Sequence, residues 1–138
     1  RYNQNQRNYM QNKNQIIICS ANLDSCDFYE NQERQKALAY NFREIGVAFN
    51  SCQGVYKGNK ESSFIVVIRT NEQFEQIKNM CLDLFEQDSI LYQEISGLCS
   101  LIYTDKVEKL GELVEVEFSK AKTLDNYTEF NGKYYATN

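Results

Sequence analysis

The sequence predicts an α+β protein with a ferredoxin-like split βαβ core, in which two helices cover one face of an antiparallel sheet. Residues 16–19 and 64–68 are continuous apolar runs rich in β-branched side chains, a pattern typical of strands buried on both faces. A helical pattern follows each run, so the order is β-α-β-β-α-β. This order puts the two apolar strands side by side at the centre of the sheet.

The first helix is predicted between these two strands. Asp27 and Glu30 have the spacing of a capping box, and the helix ends before Gly46. Leu38 and Phe42 recur at i and i+4 and indicate the buried face.

A hairpin and a second helix come next. Residues 47–56 mix apolar and polar side chains, which favours a strand at the sheet edge. Gly58-Asn59 fits a tight turn whose first central residue needs a positive φ. Thr70 and Gln73 repeat the capping-box spacing, and an amphipathic helix follows them.

The C-terminal third is predicted to add strands to this core. Three such strands are expected at residues 89–95, 98–103 and 114–118. The first of the three is short and is placed at an edge. Residues 105–110 are predicted to form a helical turn that Gly111 ends, and Asn131-Gly132 predicts a terminal hairpin.

Composition divides the chain into a polar arm, residues 1–15, and a single domain, residues 16–138. Asn and Gln fill nine of the first fifteen positions, and such a segment buries too little apolar surface to fold unaided. The net charge of −4 makes nucleic acid an unlikely partner, since phosphate contacts need a basic face. The chain has no apolar run long enough for a membrane and no secretion signal, which predicts a cytoplasmic protein.

The residues that are absent limit the possible chemistry. The chain has no histidine, which excludes zinc sites of the Cys/His type and Ser–His or Cys–His nucleophile pairs. Its five cysteines lack CxxC spacing and are expected to be buried and reduced. Glu61 and Asp88 can in principle act as bases, but no carboxylate cluster has a metal-ligand spacing. We therefore predict no catalytic residue, no metal and no cofactor.

Polar side chains that flank the central strands form a candidate ligand-binding site. They are Ser20, Asn22, Asn31, Arg34, Tyr56, Lys57, Lys60, Glu61 and Ser63. In one interpretation they bind an anionic, nucleotide-like ligand: Arg34 and the lysines hold phosphate and Tyr56 stacks on a base. In the other they are structural, with Arg34 pairing with Glu61 or capping carbonyl groups.

Five separated segments together resemble one family of small bacterial and phage proteins, catalogued as a domain of unknown function. The segments are SANLDS (20–25), NQER (31–34), QGVYKGNKESSFIV (53–66), EQDSIL (86–91) and NGKYYAT (131–137). The resemblance covers residues 16–137 and supplies no reaction. It implies a phage or phage-like source and a shared polar cluster that adds Gln87 and Ser89 to eight residues of the candidate site.

These observations predict a non-catalytic phage accessory protein, not an enzyme. It is expected to bind a host protein or other copies of itself through arm 1–15 and its surplus of aromatic side chains. Two alternatives stay open: a binder that sequesters a nucleotide-like ligand against host defence, and a structural component of the virion.

Overall fold

The computed structural model describes residues 14–138, within which eight strands close into an antiparallel barrel. The strands are β1 (Ile16–Cys19), β2 (Phe49–Tyr56), β3 (Asn59–Val67), β4 (Ile90–Gln93), β5 (Leu98–Ile102), β6 (Val107–Val116), β7 (Tyr127–Phe130) and β8 (Lys133–Thr137). Around the barrel they follow the order β1-β3-β2-β7-β8-β6-β5-β4, and β4 pairs with β1 to complete the ring.

Helices connect some of these strands. Within the described residues they are α1 (Phe28–Ile45), α2 (Asn71–Asn79), α3 (Phe118–Ala121) and a π-helical turn, Met80–Leu84. The predicted capping box of α1 is confirmed, because the Asp27 side chain accepts from the Glu30 N–H and the Glu30 side chain accepts from the Asp27 N–H. Gly46 ends the helix as predicted, with a φ of 79°. No described helix has the length and apolar character needed to span a membrane.

One hydrophobic core lies between the helices and one face of β1 and β3. Ile17 of β1 and Phe64 and Val66 of β3 belong to it, together with Leu38 and Phe42 of α1. The Phe42 and Phe64 rings meet edge to face with their centroids 5.6 Å apart. The predicted buried face of α1 therefore packs on the two apolar strands.

A second core fills the interior of the barrel. Ile16 and Ile18 of β1 and Ile65 of β3 share it with residues from the other strands. Those residues are Cys99, Leu113, Phe130 and Tyr135. Since side chains alternate along a strand, consecutive residues of β1 and β3 face the helices and the barrel interior in turn.

The predicted ferredoxin-like fold is wrong, although its central strand pair is present. β1 pairs with β3, and Ile17 lies opposite Val66. The C-terminal strands then continue the sheet until β7 pairs with β2, which brings Val55 opposite Tyr127. An apolar run requires only that both faces of its strand are covered, so the sequence did not distinguish a second layer from a barrel interior. Closure also removes the sheet edges predicted at residues 47–56 and 89–95.

The helical turn predicted at residues 105–110 is also wrong, because most of this segment belongs to β6. Gly111 does not end a helix. It lies within β6, where the C-terminal residue Asn138 packs so closely that an added Cβ would overlap its side chain and carbonyl group. The Asn138 amide oxygen also accepts a hydrogen bond from the Glu112 N–H at 2.8 Å.

The two predicted hairpins are present. Asn131 and Gly132 have φ values of 54° and 77° and connect β7 to β8, as predicted. In the β2–β3 hairpin the turn lies one residue earlier than predicted, since Lys57 and Gly58 have the positive φ values and Asn59 already pairs with Tyr56.

The predicted arm lies largely outside the described residues. Its last residues, Asn14 and Gln15, are bound to the barrel: the Gln93 side chain donates to the Asn14 carbonyl at 2.8 Å, and the Tyr92 hydroxyl donates to Gln15 Oε1 at 3.0 Å. Several aromatic side chains are exposed, including Phe28, Tyr29 and Tyr40. Their role in binding a partner stays a prediction.

Candidate functional site

A cavity of about 670 Å³ lies where the loop after β1, the β2–β3 hairpin and residues 86–89 converge. Strands β5 and β6 and residues 125–128 complete its wall. Its volume is within the range of pockets that bind ligands of nucleoside size.

Glu61 is the most perturbed carboxyl group in the cavity wall. Burial, reinforced by the nearby Asp24 carboxylate, raises its pKa from 4.5 to about 7. Strand β2 leaves space for this side chain by placing Gly54 opposite Glu61. A Cβ at Gly54 would lie 2.7 Å from Ser63 Oγ and 3.7 Å from Glu61 Cγ. The glycine in this strand therefore lets two polar side chains occupy the cavity wall.

A polar cluster lies at the tip of the β2–β3 hairpin. The Tyr56 hydroxyl donates to Asp88 Oδ2 at 2.8 Å, and Lys57 Nζ lies 3.6 Å from the same oxygen. Lys57 Nζ also lies 5.1 Å from the centroid of the Tyr56 ring, so this ring face accommodates a cation. Burial raises the pKa of Tyr56, which keeps its hydroxyl protonated as a donor.

The wall of the cavity is strongly acidic. Its described carboxylates are Asp24, Glu61, Glu86, Asp88, Glu108 and Asp125. The only described cation among the lining residues is Lys57, and its partner Asp88 offsets its charge. Such a wall attracts a cationic ligand and repels phosphate. The predicted preference for an anionic, nucleotide-like ligand therefore has no electrostatic support here.

Comparison with known proteins identifies a family for this chain. The sequence model of the S-adenosylmethionine lyase family matches residues 17–138. The chain belongs to the S-adenosylmethionine lyase family. No curated protein matches it significantly.

The family corrects the predicted function. An S-adenosylmethionine lyase family is a family of enzymes, so the prediction of a non-catalytic accessory protein that acts by binding is wrong. The prediction that the chain belongs to a family is confirmed at the level of the family alone. The match supports neither the five segments as motifs of that family nor a phage source. The absence of histidine excluded catalytic triads and Cys/His zinc sites, but it did not exclude a lyase.

This lyase-family chain brings six of the nine predicted site residues to the cavity wall. They are Ser20, Asn22, Tyr56, Lys57, Glu61 and Ser63. Lys60 is exposed on β3 and lies outside the wall. Asn31 and Arg34 of α1 also lie outside it, where they bind the loops that form the wall.

Helix α1 holds the loop after β1 through its polar side chains. Asn31 accepts from the Leu23 N–H at 2.9 Å and donates to the Leu23 carbonyl at 3.0 Å. Gln35 Oε1 accepts from the Ala21 N–H at 3.1 Å. These bonds satisfy backbone groups that an irregular loop would otherwise leave unpaired.

Arg34 connects this loop to the segment that follows the π-helical turn. Its Nε donates to the Ala21 carbonyl at 2.6 Å, and its Nη2 donates to the Phe85 carbonyl. Gln87 Nε2 makes a parallel connection, donating to the Asn22 carbonyl at 3.0 Å. The ion-pair partner of Arg34 is Glu86 at 3.9 Å, not Glu61. Of the two interpretations, capping of carbonyl groups describes the contacts of Arg34.

The prediction missed the part of the cavity wall that comes from the C-terminal half. Tyr103, Glu108 and Asp125 reach the wall only because β5 to β7 close the barrel. Two hydrogen bonds join the hairpin to this side: the Gly58 N–H donates to the Asp125 carbonyl, and the Lys57 N–H donates to the Asn126 side chain at 2.8 Å. No local sequence pattern indicates these long-range contacts.

Proposed function

We propose that the chain cleaves S-adenosylmethionine in the acidic cavity and releases 5′-methylthioadenosine without using water. The observation that carries this proposal is the acidic wall around a cavity of about 670 Å³ in a member of the lyase family. S-adenosylmethionine has a sulfonium, an ammonium and one carboxylate, so it is a cation at neutral pH. The sign of the wall complements that charge.

The proposed reaction breaks the bond between the sulfonium sulfur and the γ carbon of the methionine part. The electron pair of that bond moves to sulfur, which leaves as a neutral thioether. An oxygen of the substrate's own carboxylate attacks the γ carbon and closes the five-membered lactone of homoserine. No proton is transferred, and every atom of the substrate appears in the two products.

The cavity suits this cyclisation because its described lining residues offer the substrate carboxylate no unpaired cation. Lys57 is the only cation among the described lining residues, and Asp88 already pairs with it at 3.6 Å. The surrounding carboxylates attract the ammonium and repel the substrate carboxylate, which turns towards its own γ carbon. Both reacting charges diminish in the transition state and are gone from the reacting groups in the products, so exclusion of water also accelerates the step.

Glu61 and Tyr56 are the residues we propose for binding the cationic groups. A bound cation lowers the pKa of Glu61 and holds the carboxylate ionised. The Tyr56 ring, which faces Lys57 Nζ at 5.1 Å in the free protein, can bind the sulfonium through a cation–π contact.

Product analysis tests the proposal. We expect the purified chain to convert S-adenosylmethionine into methylthioadenosine and homoserine lactone, identified by mass spectrometry. Glu61→Gln should lower kcat/KM by about a hundredfold, since it removes the charge that binds the cation. Glu44→Gln, at an exposed position of α1, is the matched control and should leave the rate unchanged.

Labelled water separates cyclisation from hydrolysis. In H₂¹⁸O, later opening of the lactone places the label in the carboxyl group of homoserine. Label in the hydroxyl group would show that water attacked the γ carbon and would contradict the proposed reaction.

A further inference from the structure

The cavity changes in character from its mouth to its inner end. Most of its described carboxylates are exposed, which places them at the mouth, whereas Glu61 is partly buried. The lining also includes aliphatic side chains that are buried or partly buried and that belong to, or pack against, the core inside the barrel. These side chains are Ile18, Leu91, Leu110 and Leu113. The cavity therefore has an acidic mouth and an apolar inner end.

The register of the strands places the leucines of the inner end on one surface. Ile18 of β1 lies opposite Leu91 of β4, and Leu91 lies opposite Leu101 of β5. Residues that lie opposite each other in paired strands share one face of the sheet, and Ile18 belongs to the core inside the barrel. Leu91 and Leu101 therefore face the barrel interior. Both are partly buried and line the cavity, which leaves part of each side chain open to a ligand.

The charges of the proposed substrate match this division of the cavity. Its sulfonium and ammonium groups would lose hydration at an apolar surface, whereas the adenosine part is uncharged and its base has two apolar faces. The ribose separates the base from the sulfonium. A sulfonium held by Glu61 and Tyr56 therefore leaves the base as the part of the substrate that reaches the inner end.

We propose that Leu91, Leu101 and Leu110 form the subsite for the base of the substrate, at the inner end of the cavity. This inference rests on the proposed function, since it assigns the nucleoside end of the same substrate. Apolar contact with the base supplies the affinity of the subsite. The leucines also limit the size of the base, whereas groups attached to sulfur extend towards the open mouth.

Three uncharged nucleosides test this orientation with the wild-type chain, without using catalysis. Isothermal titration calorimetry would compare methylthioadenosine with two analogues that carry one benzyl group each. In benzylthioadenosine the benzyl group replaces the methyl group on sulfur, and in the 6-benzylamino analogue it is attached to the amino group of the base. We expect benzylthioadenosine to bind within about threefold of methylthioadenosine, and the 6-benzylamino analogue to bind at least about tenfold more weakly.

A substitution in the subsite should reverse this discrimination. Leu101→Ala should weaken the binding of methylthioadenosine about tenfold, because it removes apolar contact with the base. It should also bring the 6-benzylamino analogue to within about threefold of methylthioadenosine, because the shortened side chain makes room for the benzyl group. Leu98→Ala is the matched control on the same strand. Leu98 is 49% exposed and does not line the cavity, so this variant should keep the wild-type affinities.

Several results would overturn the inference. One is a wild-type chain that binds neither methylthioadenosine nor its analogues, or that binds all of them equally. Another is a wild-type chain that rejects benzylthioadenosine, which would show that the sulfur end is the enclosed one. These comparisons stay decisive even if Leu101→Ala does not fold. A third is an unchanged affinity of folded Leu101→Ala for methylthioadenosine. The expected discrimination without cleavage would remove the proposed reaction alone, and cleavage without the discrimination would remove this inference alone.

Discussion

Replacing Glu61 with glutamine should make the protein more stable at alkaline pH while it lowers activity. The pKa of Glu61 is raised from 4.5 to about 7, so the folded state resists ionisation of this group more than the unfolded chain does. Its contribution to stability is therefore complete below pH 4.5 and is lost as the pH rises through 7. Each pH unit between the two pKa values corresponds to about 1.4 kcal/mol, which gives a loss of about 3 kcal/mol at pH 8.

Glutamine has nearly the same shape and does not ionise, so Glu61→Gln avoids this loss. We expect its advantage in the free energy of unfolding to be about 1 kcal/mol at pH 5 and about 3 kcal/mol at pH 8. For a chain of 138 residues the larger value raises Tm by about 10 °C.

Urea unfolding of both proteins from pH 4.5 to 8.5 measures the difference, and Glu44→Gln is again the control. A constant difference across this range would refute the reasoning, because only the titration of Glu61 makes the difference depend on pH. A difference that shrank towards pH 8 would show that a cation or donor within the protein already stabilises the carboxylate.

Three further predictions concern the loops and the hairpin around the cavity. The kcat/KM of the wild-type chain should fall about tenfold per pH unit below pH 7, and this limb should be absent from the residual activity of Glu61→Gln. Arg34→Gln should cost about 1–3 kcal/mol in urea unfolding and should raise KM, because the Ala21 and Phe85 carbonyls lose their shared donor. Unchanged stability would show that solvent replaces the guanidinium. Gly54→Ala should cost about 1–3 kcal/mol, because its Cβ would lie 2.7 Å from Ser63 Oγ. A second substitution, Ser63→Ala, should recover part of that loss.

Local patterns predicted those parts of the structure that depend on neighbouring residues in the chain. The capping box of Asp27 and Glu30, the Asn131-Gly132 hairpin and the two-sided burial of residues 16–19 are all present. Closure of the barrel depends instead on pairing between β2 and β7, which are separated by half the chain. No short-range pattern specifies that pairing, so the sequence led to an open sheet.

The difference between local patterns and long-range strand pairing also explains why only part of the cavity wall was predicted. Ser20, Tyr56 and Glu61 were found because they flank the central strands, whereas Glu108 and Asp125 come from strands that were placed elsewhere. The lyase chemistry was missed for a different reason. In the proposed reaction the substrate supplies its own nucleophile, so the protein needs no triad or metal whose spacing could be recognised.

Strands β1 and β3 separate two hydrophobic cores, one against the helices and one inside the barrel. Adjacent residues such as Ile17 and Ile18 consequently pack in different cores, so a substitution at one position can leave the packing around the other unchanged. A shift of β1 by one residue in its register would move every β1 side chain from one core to the other. Substitutions at every second position of β1 and β3 can therefore change the barrel interior beside the cavity, while the packing against the helices is kept.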